Sequence, residues 1–171
     1  RAVSGDDYET LTDQFSTEFQ GQIGKSKAIL RQYGCAANVI DLYILALNGT
    51  DDLEEANNEL KVALSEELNG KKMITDYVCI RDGVVIRTDV ALDVVVDKFY
   101  RKFEDEIKAR INNKMSTSFS LNNWDYEKDL KSSDLIKQLA DINEIKSTEV
   151  NFVTDNVNNS GDVVVARFFE I

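Results

Sequence analysis

Three observations in this sequence predict an all-α fold, a bundle of about six helices forming one domain over residues 1–171. No proline occurs anywhere in the 171 residues, so nothing interrupts long helices. Apolar residues recur three and four apart in several segments, as they do along one buried helical stripe. The stretch "CAANVIDLYILAL" (35–47) is apolar on almost every side, as a central buried helix would be.

The first helix is predicted from near Thr10 to Tyr33, with Leu11, Phe15 and Phe19 four apart. Within it, "GQIGKS" (21–26) ends in the Gly-Lys-Ser of a phosphate-binding loop. Such a loop is Gly, four residues, then Gly-Lys-Ser/Thr, placed after a strand so that backbone N–H groups wrap the phosphates. Counting back from Gly24, the first glycine would be residue 19, which is Phe19. The residues before it are polar with helical spacing, so no ATP or GTP site is expected. Gly21 and Gly24 read as weak points in a helix that resumes at "KSKAILRQYG", with Gly34 as its C-cap.

The second helix is the buried 35–47, closing at Asn48-Gly49. The third is capped reciprocally by Asp51 and Glu54, carries Leu53, Ala56, Leu60, Leu64 and Leu68 on its stripe, and stops at Asn69-Gly70. The fourth region is ambiguous. "YVCIRDGVVIRT" places Asp-Gly between β-branched runs, a short-range hairpin signal. Downstream, Leu92, Val96, Phe99, Phe103, Ile107 and Ile111 follow helical spacing. Residues 88–112 are therefore read as helix, and 74–87 as helix ahead of a small hairpin near 75–88.

A polar link, "NNKMSTSFSLNN", and a short helical piece in "NWDYEKDL" come next. Ser133 then caps a long helix bearing Leu135, Leu139, Ile142, Val150 and Val153. The tail "GDVVVARFFEI" reads as a last helix or a strand. Phe168, Phe169 and Ile171 are expected to dock on the bundle, since exposed they would form a sticky patch. "DVVVDKFY" (93–100) and "DVVVARFF" (162–169) echo each other, but eight residues are too few for a repeat.

Composition narrows the function. Lysine and arginine number 20 against 31 acidic residues, a net charge of −11. A chain this acidic repels phosphate backbones and anionic lipid, and no basic cluster interleaved with aromatics is read to offset it, so no nucleic-acid partner is expected. No apolar run approaches the roughly 18 residues that span a bilayer, so no membrane insertion is expected. The chain begins at Arg1 rather than Met, which reads as a processed or an engineered form.

With no histidine, Ser-His-Asp and Cys-His catalysis and His-ligated zinc are excluded. The carboxylate runs, "DDLEEANNEL", "EELNG" and "KFEDEIKARI", read as solvated helix faces with i,i+4 partners such as Glu104 and Lys108. No catalytic residue, metal or cofactor is therefore assigned.

Cys35 and Cys79 are read as one disulfide of a secreted protein, worth about 4 kcal/mol in the chain-entropy model. Two sequons, at Asn48 and Asn158, fall in turn-like stretches where glycans could attach. The alternative is a pair of buried thiols inside a cell.

Two short resemblances complete the reading. "NVNNSGDVVVAR" resembles an EF-hand loop, with Asn156, Asn158 and Ser160 at the first three ligand positions, Gly161 at the sixth and Phe152 in the entering helix. The resemblance implies a helix–loop–helix. Its twelfth position is Arg167, where calcium affinity needs a bidentate Glu, so no calcium site is expected. "CAANVIDLY" resembles a stretch around a cysteine in the silk fibroin light chains over nine residues, which implies secretion.

The leading functional reading is a secreted, extracellular, non-enzymatic helical protein acting through contacts with another protein. The alternative is a carrier of an apolar small molecule or lipid in the bundle interior. A second alternative is a structural component of a secreted material.

Overall fold

The structure, a computed structural model, describes residues 1–18, 21–33, 37–49, 52–154, 162–167 and 169–171. It shows helices combined with largely antiparallel sheets, so the predicted six-helix all-α bundle is incorrect. The backbone groups into two units, Arg1–Val85 with Phe168–Ile171, and Ile86–Arg167.

In the first unit, α1 (Gly5–Asp13) opens on a capping box. The Ser4 hydroxyl accepts from the Asp7 N–H, and the Asp7 carboxylate accepts from the Ser4 N–H. There follow β1 (Ser16–Thr17), β2 (Gly21–Tyr33), β3 (Ala37–Asn48), β4 (Asp52–Glu54), α2 (Asn58–Lys71) and β5 (Asp76–Asp82). β3 is the central strand. β2 lies antiparallel on one side, while the other side is shared by β4 at Ala46–Asn48 and by β5, parallel, from Asn38 to Ile44.

The stretch predicted as the central buried helix is this central strand. Every residue from Ile40 to Ala46 is buried. Ile40, Leu42, Ile44 and Ala46 face a core with Tyr8, Ile23, Leu60, Leu64 and Leu68. Asp41, Tyr43 and Leu45 are buried on the opposite face. A strand covered on both faces loses its polar alternation, so by composition it mimics a buried helix.

The predicted first helix exists only as Thr10–Asp13 at the end of α1, and the Gly-Lys-Ser sequence lies in β2. The β2–β3 register skips Gly24, passing from Ile23 opposite Ala46 to Lys25 opposite Leu45. A Cβ on Gly24 would stand 2.5 Å from Leu53 Cδ2 and 3.3 Å from Leu47 Cβ. This glycine makes a β-bulge under close packing.

The third predicted helix is present as α2, with Leu60, Leu64 and Leu68 buried as expected. Its cap is Asn57, whose Oδ1 accepts from the Leu60 N–H at 2.7 Å, whereas Leu53 belongs to β4 and Asp51 lies outside the described residues. Residues 74–87 form neither a helix nor a hairpin. β5 pairs in parallel with β3, and Val84 bridges in parallel to Glu170 at the carboxy terminus.

The disulfide expectation also fails. Cys79 is a free thiol in β5, level with Asp41 of β3, and Cys35 lies outside the described residues.

The second unit contains β6 (Thr88–Val96), a 3-10 turn (Lys98–Phe103), α3 (Glu104–Ser118), a second 3-10 turn (Leu121–Asn123), β7 (Leu130–Lys131), α4 (Ser132–Leu139), β8 (Ile145–Thr154) and β9 (Val163–Val164). β6 pairs antiparallel with β8, and β7 with β9. The inward residues of β6, Leu92, Val94 and Val96, pack against Ile107, Ile111, Leu139 and Ile142. Val150, Phe152, Leu130, Leu135 and Val164 form a neighbouring cluster.

The predicted helix over 88–112 is thus a strand, a turn and the first part of α3. The predicted long helix from Ser133 is α4 followed by β8, with Val150 buried in the strand and Val153 64% exposed. β8 also replaces the entering helix of the EF-hand resemblance, and Val163 belongs to β9.

At the carboxy terminus, the Val84 N–H donates to Phe169 O (2.8 Å) and the Ile171 N–H donates to Val84 O (3.0 Å). The Phe169 ring lies 6.0 Å from that of Tyr43. The tail therefore docks, through added backbone pairing rather than as a helix; Phe168 lies outside the described residues. Among the described residues, no helix is long and apolar enough to cross a membrane.

Candidate functional site

The feature with the clearest capacity for recognition is the 3-10 turn "KFYRKF" between β6 and α3. Asp97 opens it: its Oδ1 accepts from the Phe99 N–H at 3.1 Å and its carbonyl from the Tyr100 N–H at 3.0 Å. The start of the turn is held by the residue that precedes β8, since the Asp97 N–H donates to Glu144 O at 3.0 Å. The turn runs directly into α3, which Ile107 and Ile111 fix in the core. Both ends are pinned, and the side chains between them point outward.

Phe99 is 89% exposed, Phe103 55% and Tyr100 42%. Lys98, Arg101 and Lys102 are exposed among them. Within 4 Å, no carboxylate among the described residues pairs with any of these three cations. Sequence reasoning placed Phe99 and Phe103 on a buried stripe and recognised no basic cluster interleaved with aromatics. The hexapeptide is such a cluster. Its signal was legible as three cations and three aromatics in six residues.

Acidic groups border the cluster. Asp97 precedes it, and Glu104, Asp105 and Glu106 follow in the first turn of α3. The ion pair expected between Glu104 and Lys108 is present at 2.8 Å. The Lys108 hydrogen bond holds the Glu104 carboxyl below its ordinary pKa, and the same bond raises that of Lys108. The surface thus carries three exposed cations around the aromatics and a carboxylate border.

The other predicted positions do not converge on a site. Asn48 is exposed at the end of β3, and its Nδ2 donates to Glu54 Oε2 at 2.9 Å. Thr50, Asn158 and Ser160 lie outside the described residues, as do the ligand positions of the EF-hand resemblance up to Gly161. Among the described residues, no group of three or more acidic or thiol side chains could hold a metal ion.

Two buried carboxylates escaped the sequence reading. Asp41 is 2% exposed and lies 2.6 Å from Arg31 Nε and 2.8 Å from Arg81 Nε. Asp76 accepts from the Tyr8 hydroxyl (2.8 Å), Asn38 Nδ2 (3.2 Å) and Thr75 Oγ1 (3.2 Å). Burial, reinforced by the Asp76 hydrogen bond, pushes the Tyr8 hydroxyl up to about 12. Asp76 accepts from three donors, and Asp41 accepts from Arg81 and pairs with Arg31, which suits a structural role, since breaking a buried pair leaves an uncompensated charge.

No protein-family model matches the chain, and no curated protein matches it.

Proposed function

We propose that this chain is a non-enzymatic protein-binding module whose contact surface is the turn Lys98–Phe103 with the adjoining first turn of α3. The observation that carries the reading is Phe99, 89% exposed on a turn closed by Asp97. Holding a large apolar side chain in water on a fixed backbone forgoes burial free energy that a partner can recover. Each buried Phe contributes about 1.5–3 kcal/mol. Aromatic and arginine side chains are also those that dominate protein interfaces.

The border of the surface argues for the kind of partner. Lys98, Arg101 and Lys102 stand beside Asp97, Glu104, Asp105 and Glu106. A mixed-sign border complements another protein, whereas a lipid or nucleic-acid phosphate array would be repelled by the four carboxylates. The reading does not depend on compartment.

A photoreactive phenylalanine analogue at position 99, carried by the full chain in its native cells, tests this. The expected result is a covalent adduct with one protein. Purified, that protein binds the unmodified chain, and Phe99→Ala weakens binding roughly ten- to hundredfold. Adducts with lipid alone, or a captured protein whose affinity ignores Phe99→Ala, would refute the proposal. A self-adduct would reassign the surface to contact between copies and overturn the reading of a different partner.

A further inference from the structure

A cleft of about 510 Å³ opens in the second unit between the end of α3, the segment 123–131 and one side of α4. It lies within the roughly 300–1,000 Å³ range of small-molecule sites. Its wall is Trp124, held in place by an Nε1–H bond to Ser118 O at 2.8 Å and by parallel stacking on Phe119, with centroids 5.8 Å apart and planes 4° from parallel. The Lys128 ammonium lies over this indole, 4.9 Å from its centroid, and also donates to Asn123 O. The buried Leu130 and Leu135 also line the cleft.

The polar lining is balanced. Lys128, Lys131, Asp129 and Asp134 share the lining, so its formal charges cancel. Thr117 Oγ1 donates to Asn113 O and Gln138 Oε1 accepts from the Ser118 hydroxyl, so Thr117 offers the cleft an acceptor and Gln138 its amide N–H groups. A charged ligand would gain no net Coulombic preference here. An apolar one would strand these donors and acceptors, each at a desolvation cost.

The ligand chemistry that uses every part is a neutral ring bearing several hydroxyls. Its C–H face packs on the indole, and its hydroxyls both donate and accept along the rim. From this combination we infer that the cleft is a binding site for a neutral saccharide of one or two rings. The sugar takes the place of the Lys128 ammonium on the indole, and the released ammonium donates to a ring hydroxyl. On the opposite side Asp134 accepts from a hydroxyl and the Gln138 amide donates to one. None of these residues belongs to the 98–103 surface, so this inference stands independently of the proposed protein contact.

Trp124 is the sole tryptophan of the chain, so fluorescence of the intact protein, excited at wavelengths that tyrosine does not absorb, reports on this cleft. The probes are glucose, galactose, N-acetylglucosamine and their disaccharides, from micromolar to roughly 100 mM, the range of weak single-site affinities. Inorganic phosphate and ethylamine serve as charged controls. The expected result is a saturable spectral change with at least one neutral sugar and none with either control. Asp134→Asn and Gln138→Ala should each weaken that sugar at least tenfold while circular dichroism shows the chain still folded.

A peptide bearing the same sugar, compared with the free sugar, identifies the source: tighter binding assigns protein-linked glycans, equal binding assigns free saccharide, and either upholds the cleft's chemistry. Saturation by phosphate or ethylamine in preference to every sugar would overturn the inference. So would an unchanged spectrum throughout, or sugar binding indifferent to both substitutions.

Discussion

Tyr8 and Asp76 form the residue pair whose contribution can be isolated most cleanly. The hydroxyl of a fully buried tyrosine donates to a buried carboxylate, and its pKa is pushed from 10.0 to about 12. A group whose folded-state pKa lies above its unfolded value contributes stability that is complete below the unfolded pKa and is lost as pH rises through the folded one. The Tyr8 contribution is therefore full below pH 10 and disappears between about pH 10 and 12. Urea denaturation of Tyr8→Phe at neutral pH should show a loss of about 1.5–3 kcal/mol, the usual cost of removing a donor from a charged acceptor. Relative to that variant, the native chain should lose its advantage across the same alkaline interval. A constant difference up to pH 12 would contradict the assignment.

Cys79 gives a second test at this scale. As a free thiol in β5, it should react with a thiol reagent in denaturant without reductant, and a peptide map should place the label on residue 79. An unlabelled Cys79 would restore the disulfide that the sequence suggests. None of this was legible beforehand, because two cysteines in a chain carry no geometry. The pairing of Asn38 to Ile44 with Asp76 to Asp82 is what sets Cys79 level with Asp41.

Among elements, the misreadings share one cause. A spacing of four is close to one helical turn and is also an even number, so it keeps a residue on one face of a strand as well. Leu92 and Val96 satisfy both periods. The deciding residues were those between them. Val90, Leu92, Val94 and Val96 are half-buried in β6, whereas Asp89, Ala91, Asp93 and Val95 are exposed, a strict period of two in burial that only Asp89 and Asp93 mark in the sequence. α2 was legible because its buried leucines, four apart, are separated by Lys, Ser and Glu on the remaining faces. β3 was not, since a strand buried on both faces has no period to read.

The carboxy-terminal tail belongs to the same scale. Residues 169–171 add a short stretch of backbone pairing to Val84, and Phe169 stacks on Tyr43. Deleting these three residues should lower stability by about 2 kcal/mol, given partial burial of Phe169 and Ile171. Thermal denaturation measures it, and an unchanged melting temperature would mean that the tail contributes nothing to the fold.

For the whole molecule, a strongly acidic chain contrasts with the exposed basic, aromatic turn that it carries. At a net charge of −11, the long-range field repels anionic partners, while Lys98, Arg101 and Lys102 form a local exception. The sequence carries this contrast openly in "KFYRKF", but the assumed helical stripe assigned two of its aromatics to the core. Only the break of the backbone after Val96 turns them to solvent.

Covalent footprinting of the free chain with a short-lived carbene tests this most directly. Phe99 and Phe103 should be labelled heavily, while Ile107 and Ile111, one and two turns further on, remain nearly unlabelled. Phe99 and Phe103 protected to the same degree as Ile107 and Ile111 would place all four on one buried stripe and contradict the account.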